Sequence, residues 1–162
     1  MAYRICKTFE VESGHILSKH PGRCRYPHGH TRRVEIVLEA DKLDENGMVC
    51  DFGALKESIM PLIDALDHSI CMNTADPMFA VMREAYGEQV LAFENQDPTS
   101  EVLVHYLYVQ IRNRLTQHAQ RTDPRFPISP AVRLHAVRIW ETSTSWAEYS
   151  EFNGGQVNIG AD

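Results

Sequence analysis

Arg33-Val34-Glu35-Ile36-Val37-Leu38-Glu39-Ala40 places Val34, Ile36, Leu38 and Ala40 on one side of an extended chain, with Arg33, Glu35 and Glu39 on the other. A period of two is the pattern of a strand with one face on a core. Upstream, Tyr3 to Val11 mixes Tyr, Ile, Phe and Val in the same way, so a long excursion separates two strands. Downstream, Asp44-Glu-Asn-Gly47 reads as a turn, and Asp51 caps a helix with Leu55, Ile59, Leu62, Ile63 and Leu66 on its apolar face. Pro61 is expected to kink or shorten that helix. Asp76-Pro77 starts a short helix to Ala85, ended by Gly87. Asp97-Pro98 starts the strongest one, with Leu103, Leu107, Ile111 and Leu115 in line. Beyond a Pro-rich loop, Val132 to Trp140 and Trp146 to Phe152 read as two more strands, and the tail 153–162 is expected to be loose. The order β-β-α-(α)-α-β-β gives an α+β layer with helices on one sheet face.

The 162 residues fit a single domain, 1–162, without repeat or linker. Hydrophobic residues at 43% and charged residues at 23% are those of a soluble globular chain. No apolar run approaches the roughly 18 residues of a bilayer span, and the start lacks a signal-peptide core, so a cytoplasmic protein is expected. Cys6, Cys24, Cys50 and Cys71 form neither a disulfide framework nor a C-x-x-C pair. A net charge of -6 argues against a nucleic-acid or anionic-membrane partner. Yet Lys19, Arg23, Arg25, Arg32 and Arg33 fall between residues 15 and 33 with no acidic residue, a local patch that suits a small phosphorylated anion.

The same excursion holds His15, Cys24, His28 and His30. In extended chain, residues i and i+2 project to one side, so His28-Gly29-His30 offers two imidazoles to one ion. His15 as third ligand gives a three-histidine site with an open fourth position, the arrangement of catalytic zinc. A Cys24/His28/His30 set is the rival, more typical of a closed structural site.

Six segments then carry a resemblance: Phe9-Glu-Val-Glu-Ser-Gly-His15, Cys24-Arg-Tyr-Pro-His28-Gly-His30, Asp51-Phe-Gly-Ala-Leu-Lys56, Leu66-Asp-His68, Pro98-Thr-Ser-Glu101 and Trp140-Glu-Thr142. In this order they resemble the successive signatures of the 6-pyruvoyltetrahydropterin synthase/6-carboxytetrahydropterin synthase family. The Cys-to-His spacing and Pro-Thr-Ser-Glu are most similar to the bacterial 6-carboxy-5,6,7,8-tetrahydropterin synthase branch, which serves 7-deazaguanine and queuosine biosynthesis.

The resemblance implies a tunnelling fold, a four-stranded antiparallel sheet with helices on one face, whose copies join into a barrel. It implies a homohexamer, a dimer of trimers, with active sites at subunit interfaces. The implied reaction converts 7,8-dihydroneopterin triphosphate to 6-carboxytetrahydropterin, acetaldehyde and triphosphate. Zinc would be held by His15, His28 and His30, with Cys24, Asp67 and His68 catalytic and Glu141 binding the pterin. Zinc with Arg23 and Arg25 would favour a Cys24 thiolate, and Asp67 would orient His68 for proton exchange. The Glu141 carboxylate suits the paired N–H groups of a pterin edge. Thr99, Ser100 and Glu101 are read as helix-start residues, Ser100 and its neighbours with at most a pterin contact. Two departures stand out: Ser-Ile-Cys-Met-Asn73 after His68 is one residue longer than the family pattern, and 74–96 is a long connection. Competing readings are 6-pyruvoyltetrahydropterin synthase, a pterin- or purine-binding protein without turnover, and a structural zinc protein.

Overall fold

The Arg33 to Ala40 alternation is half of a longer ribbon. In the computed structural model, which describes residues 1–151, β1 (Tyr3–His15) and β2 (His28–Ala40) are thirteen residues each. They pair antiparallel without interruption, from Tyr3 opposite Ala40 to His15 opposite His28. At ~3.4 Å per residue the ribbon is about 40 Å long. Its alternation is strict: Phe9, Val11, Ser13 and His15 are buried on β1, and Arg32, Val34, Ile36, Leu38 and Ala40 on β2. The excursion is therefore only 16–27, and the histidines expected within it belong to the strands.

The helices cover that buried face. α1 (Phe52–Leu66) starts at Asp51, which accepts the Gly53 amide at 2.6 Å, and buries Leu55, Ile59, Leu62, Ile63 and Leu66. Each such side chain contributes about 1.5–3 kcal/mol. Pro61 does not shorten the helix. It removes the donor for the Glu57 carbonyl, but both residues are on the exposed side, where water can serve instead. α3 (Ser100–Ala119) buries Leu103, Leu107, Ile111 and Leu115 beside α1. Its cap is Thr99, which accepts the Val102 amide. Asp97 instead ties the excursion down, accepting from Ser18 Oγ and the Lys19 amide at 2.7 Å and from Asn73 Nδ2 at 2.9 Å.

The sheet corrects the four-stranded expectation. β3 (Ser69–Asn73) and β4 (Val90–Phe93) join β1 in parallel, while β5 (Arg133–Trp140) and β6 (Trp146–Tyr149) join β2 antiparallel. The order is β4-β3-β1-β2-β5-β6, six strands in a mixed sheet. β3 and β4 are runs of five and four residues without a clean alternation of buried and exposed positions, so no period of two announces them. The long 74–96 connection thus holds a short helix, α2 (Phe79–Tyr86), and an edge strand. Residue 152 and the tail 153–162 lie outside the described residues. Among the described residues, no helix is long and apolar enough to cross a membrane.

Candidate functional site

The ribbon's register assembles the metal-binding candidates. His15 sits opposite His28, and His30, two residues on, projects to the same helix-facing side. The three ring centroids form a triangle with sides of 4.4, 5.2 and 5.1 Å. Their donor atoms can converge on one ion, and among the described residues no other cluster of this kind occurs. The rival set with Cys24 is not assembled.

The hydrogen bonds aim the rings. His15 Nδ1 lies 2.9 Å from the Pro98 carbonyl, and His28 Nδ1 lies 2.8 Å from the Tyr26 carbonyl. A carbonyl can only accept, so both Nδ1 atoms carry a proton, and in the neutral form that binds metal both Nε2 atoms carry a lone pair. Those Nε2 atoms are 3.0 Å apart. Two facing lone pairs repel unless a cation lies between them. His30 Nε2 is buried without a hydrogen-bond partner. The donor set therefore fits a metal that takes neutral nitrogen ligands.

Burial, opposed by the Pro98 hydrogen bond, pulls His15 down to about 4, and burial followed by the Arg32 charge lowers His30. Both are neutral, as ligation requires. In metal-free protein the unfolded chain protonates His15 near its ordinary 6.5, whereas the folded chain resists to about 4, so stability falls as pH drops through that window. From about pH 7 to about pH 5 this residue alone should cost about 2 kcal/mol. Urea unfolding at both values checks it, because His15→Gln should remove that share of the pH dependence.

Glu141 follows β5 and closes the cluster from the side. Ser100 Oγ donates to Glu141 Oε2, Arg32 Nη1 lies 3.7 Å from Oε2, and His30 Nε2 lies 3.4 Å from Oε1 without hydrogen-bond geometry. Burial would raise this carboxyl, but the Ser100 hydrogen bond and the Arg32 charge hold it below its usual range. Arg138 pairs with Glu148 and Glu35 rather than with Glu141.

Asp67 and His68 are built at the end of α1. Asp67 Oδ1 accepts the Glu12 amide and Oδ2 accepts from His68 Nδ1, both at 2.8 Å. The Glu12 amide, then His68, lowers the Asp67 carboxyl. His68 adopts φ 57°, in the left-handed region, and its amide donates to the Glu12 carbonyl at 2.6 Å. A non-glycine residue held there by its surroundings is often functional. Its side chain is 77% exposed. It lines a cleft of about 430 Å³ at the end of the ribbon, with Glu12, Gly14, Gly29 and Thr31 and also with Ser13 and His30.

Cys24 occupies a short 3-10 turn, Arg23–Arg25, half-buried between two exposed arginines. The five-cation patch is divided. Arg32 points inward, and Arg33 pairs with Glu35 and covers the Trp140 ring. Lys19 reaches the Asn95 carbonyl, leaving Arg23 and Arg25 beside Cys24.

A family model described as 6-pyruvoyl tetrahydropterin synthase matches residues 4–151. The chain belongs to that family. Among its curated relatives, a 6-carboxy-5,6,7,8-tetrahydropterin synthase of Aquifex aeolicus is 30% identical over 169 residues, covering 93% of this chain and 99% of the relative. One of Rickettsia conorii is 31% identical over 146 residues, covering 90% and 98%. An uncharacterized protein of Wolinella succinogenes shares the fold with a TM-score of 0.74 at 22% identity, covering 94% and 99%. The Caenorhabditis elegans 6-pyruvoyl tetrahydropterin synthase does so with 0.63 at 18%, covering 94% and 97%. In this member of the 6-pyruvoyl tetrahydropterin synthase family, Arg32, expected in an anion-binding patch, is instead buried beside Glu141; Ser13 was not singled out, and Ser100 was given too small a part. The signal for Arg32 was present: a charged residue in the apolar phase of β2.

Proposed function

We propose that the chain is a zinc-dependent 6-carboxy-5,6,7,8-tetrahydropterin synthase. It would convert 7,8-dihydroneopterin triphosphate to 6-carboxytetrahydropterin, acetaldehyde and triphosphate, within 7-deazaguanine and queuosine biosynthesis in the cytoplasm. The observation that carries this reading is the triangle of imidazoles with two Nε2 atoms 3.0 Å apart, bordered by a glutamate whose carboxyl is held below its usual range. The names of the relatives supply the pterin chemistry.

His15, His28 and His30 would hold the zinc, which supplies Lewis acidity toward the side-chain hydroxyls of the substrate. Cys24 takes a proton from that side chain. His68, its Nδ1–H fixed on Asp67, presents Nε2 outward for a second proton exchange. Glu141 receives the paired N–H donors of the pterin ring. Arg23 and Arg25 attract the triphosphate. The reading includes a homohexamer, a dimer of trimers, with active sites at the subunit interfaces.

Mixing the protein with 7,8-dihydroneopterin triphosphate should release triphosphate, stop on chelation and resume with zinc. Absence of release from the zinc-loaded protein would leave only the alternatives without turnover, a pterin- or purine-binding protein or a structural zinc protein. A 6-pyruvoyl tetrahydropterin synthase, the description of the matching family model, would also release triphosphate but keep the three-carbon side chain.

Glu141→Gln keeps the size and exchanges one acceptor for an NH2 donor. If Ser100 keeps the amide oxygen, that donor replaces Oε1 and faces the pterin N–H. The expected loss is about 2–4 kcal/mol of pterin binding, about 30- to 1,000-fold, with zinc content unchanged. Titration with neopterin measures it, and unaltered affinity would place the ring elsewhere.

A further inference from the structure

Arg32 interrupts a run in which β2 otherwise turns Val34, Ile36, Leu38 and Ala40 toward the core, and it has no exposed surface. Taking a guanidinium wholly out of water is costly unless its donors are met and its charge is paired. Nε donates to Ser13 Oγ at 3.1 Å and Nη1 to Ser100 Oγ at 3.3 Å. Nη2 lies 3.2 Å from His15 Nδ1, but that nitrogen's proton goes to the Pro98 carbonyl, so the contact is packing. The counter-charge is Glu141, 3.7 Å from Nη1.

Ser100 has one proton and accepts the Arg32 donor, so its proton goes to the remaining partner, Glu141 Oε2. The three groups form a directed chain from guanidinium to hydroxyl to carboxylate. Its members come from β2, the first residue of α3 and the residue after β5, so it ties α3 to the neighbouring strands β2 and β5.

From this geometry we infer that Arg32 is a positioning residue that acts through Ser100 to hold the Glu141 carboxylate in the orientation that receives the pterin ring. The inference rests on the reading of Glu141 as the pterin anchor. It assigns a function to a buried cation that acts through a hydroxyl rather than as a pterin ligand itself. Lysine is no substitute, because one ammonium on a flexible stem does not span Ser13 and Ser100 at fixed angles.

The test compares neopterin affinity and zinc content in Arg32→Met, Arg32→Lys, Ser100→Ala and the Arg32→Met/Ser100→Ala double variant, all in full-length protein. Arg32→Met should weaken neopterin by about 10- to 100-fold and Ser100→Ala by about 10-fold, with zinc retained in both. The double variant should be no weaker than Arg32→Met alone, because the two substitutions cut one chain. Arg32→Lys keeps the buried charge and most of the stem, so it guards against misfolding of Arg32→Met, and it should still lose about 10-fold. Neopterin affinity within about twofold of the parent in Arg32→Lys overturns the inference, as do fully multiplicative losses in the double variant or loss of zinc along with pterin. Failure of the Glu141 reading looks different: Glu141→Gln itself would then bind neopterin normally.

Discussion

His28→Ala and His30→Ala should each yield protein with almost no bound zinc, while Cys24→Ala should carry about one zinc per chain. The three imidazoles are the donor cluster found among the described residues, and removing one leaves two nitrogens. Disturbing only the outer partners of a metal ligand costs about 10–100-fold in affinity, so deleting a ligand should exceed that range. The effect should be local. His28 and His30 lie at the end of the ribbon beyond the main apolar cluster, so far-UV circular dichroism should be unchanged. Metal analysis after dialysis reads the result, and zinc retained by both histidine variants would remove the site.

Cys24→Ala should keep zinc and pterin binding and lose about 10²–10⁴-fold in turnover, the usual contribution of a positioned acid or base. Its place supports a chemical rather than a packing role. A packing cysteine is buried among apolar side chains, as Cys71 is. Cys24 is half-buried between Arg23 and Arg25, on a turn held by the Leu17 amide at 3.1 Å and by the Asp97 anchors at Ser18 and Lys19. Deleting Sγ removes little packing, so the thermal midpoint should hardly move. Turnover within about twofold of the parent would take Cys24 out of the mechanism.

Much of the fold was legible where one face of an element is wet. Val34 to Ala40 and the Leu103, Leu107, Ile111, Leu115 row keep their periods because polar residues alternate with the core, and the buried faces follow them. Ser69 to Asn73 and Val90 to Phe93 were hidden because strands of five and four residues are too short to carry a readable period. The histidine set was readable from H-x-H spacing, but its cause was not. His15 meets His28 because thirteen residue pairs fix the register from Tyr3 onward, a property of the whole ribbon. Ser100 looked like a helix-start residue and is one, yet its hydroxyl spans β2 and β5. A contact between residues 32, 100 and 141 leaves no local trace in sequence.

The central claim is the carboxy-forming reaction at a three-histidine zinc site, and mass spectrometry of the products from 7,8-dihydroneopterin triphosphate tests it most directly. The expected result is 6-carboxytetrahydropterin with acetaldehyde and triphosphate in equal amounts, absent from the chelated protein. A tetrahydropterin that keeps all three side-chain carbons, with triphosphate but no acetaldehyde, would contradict it.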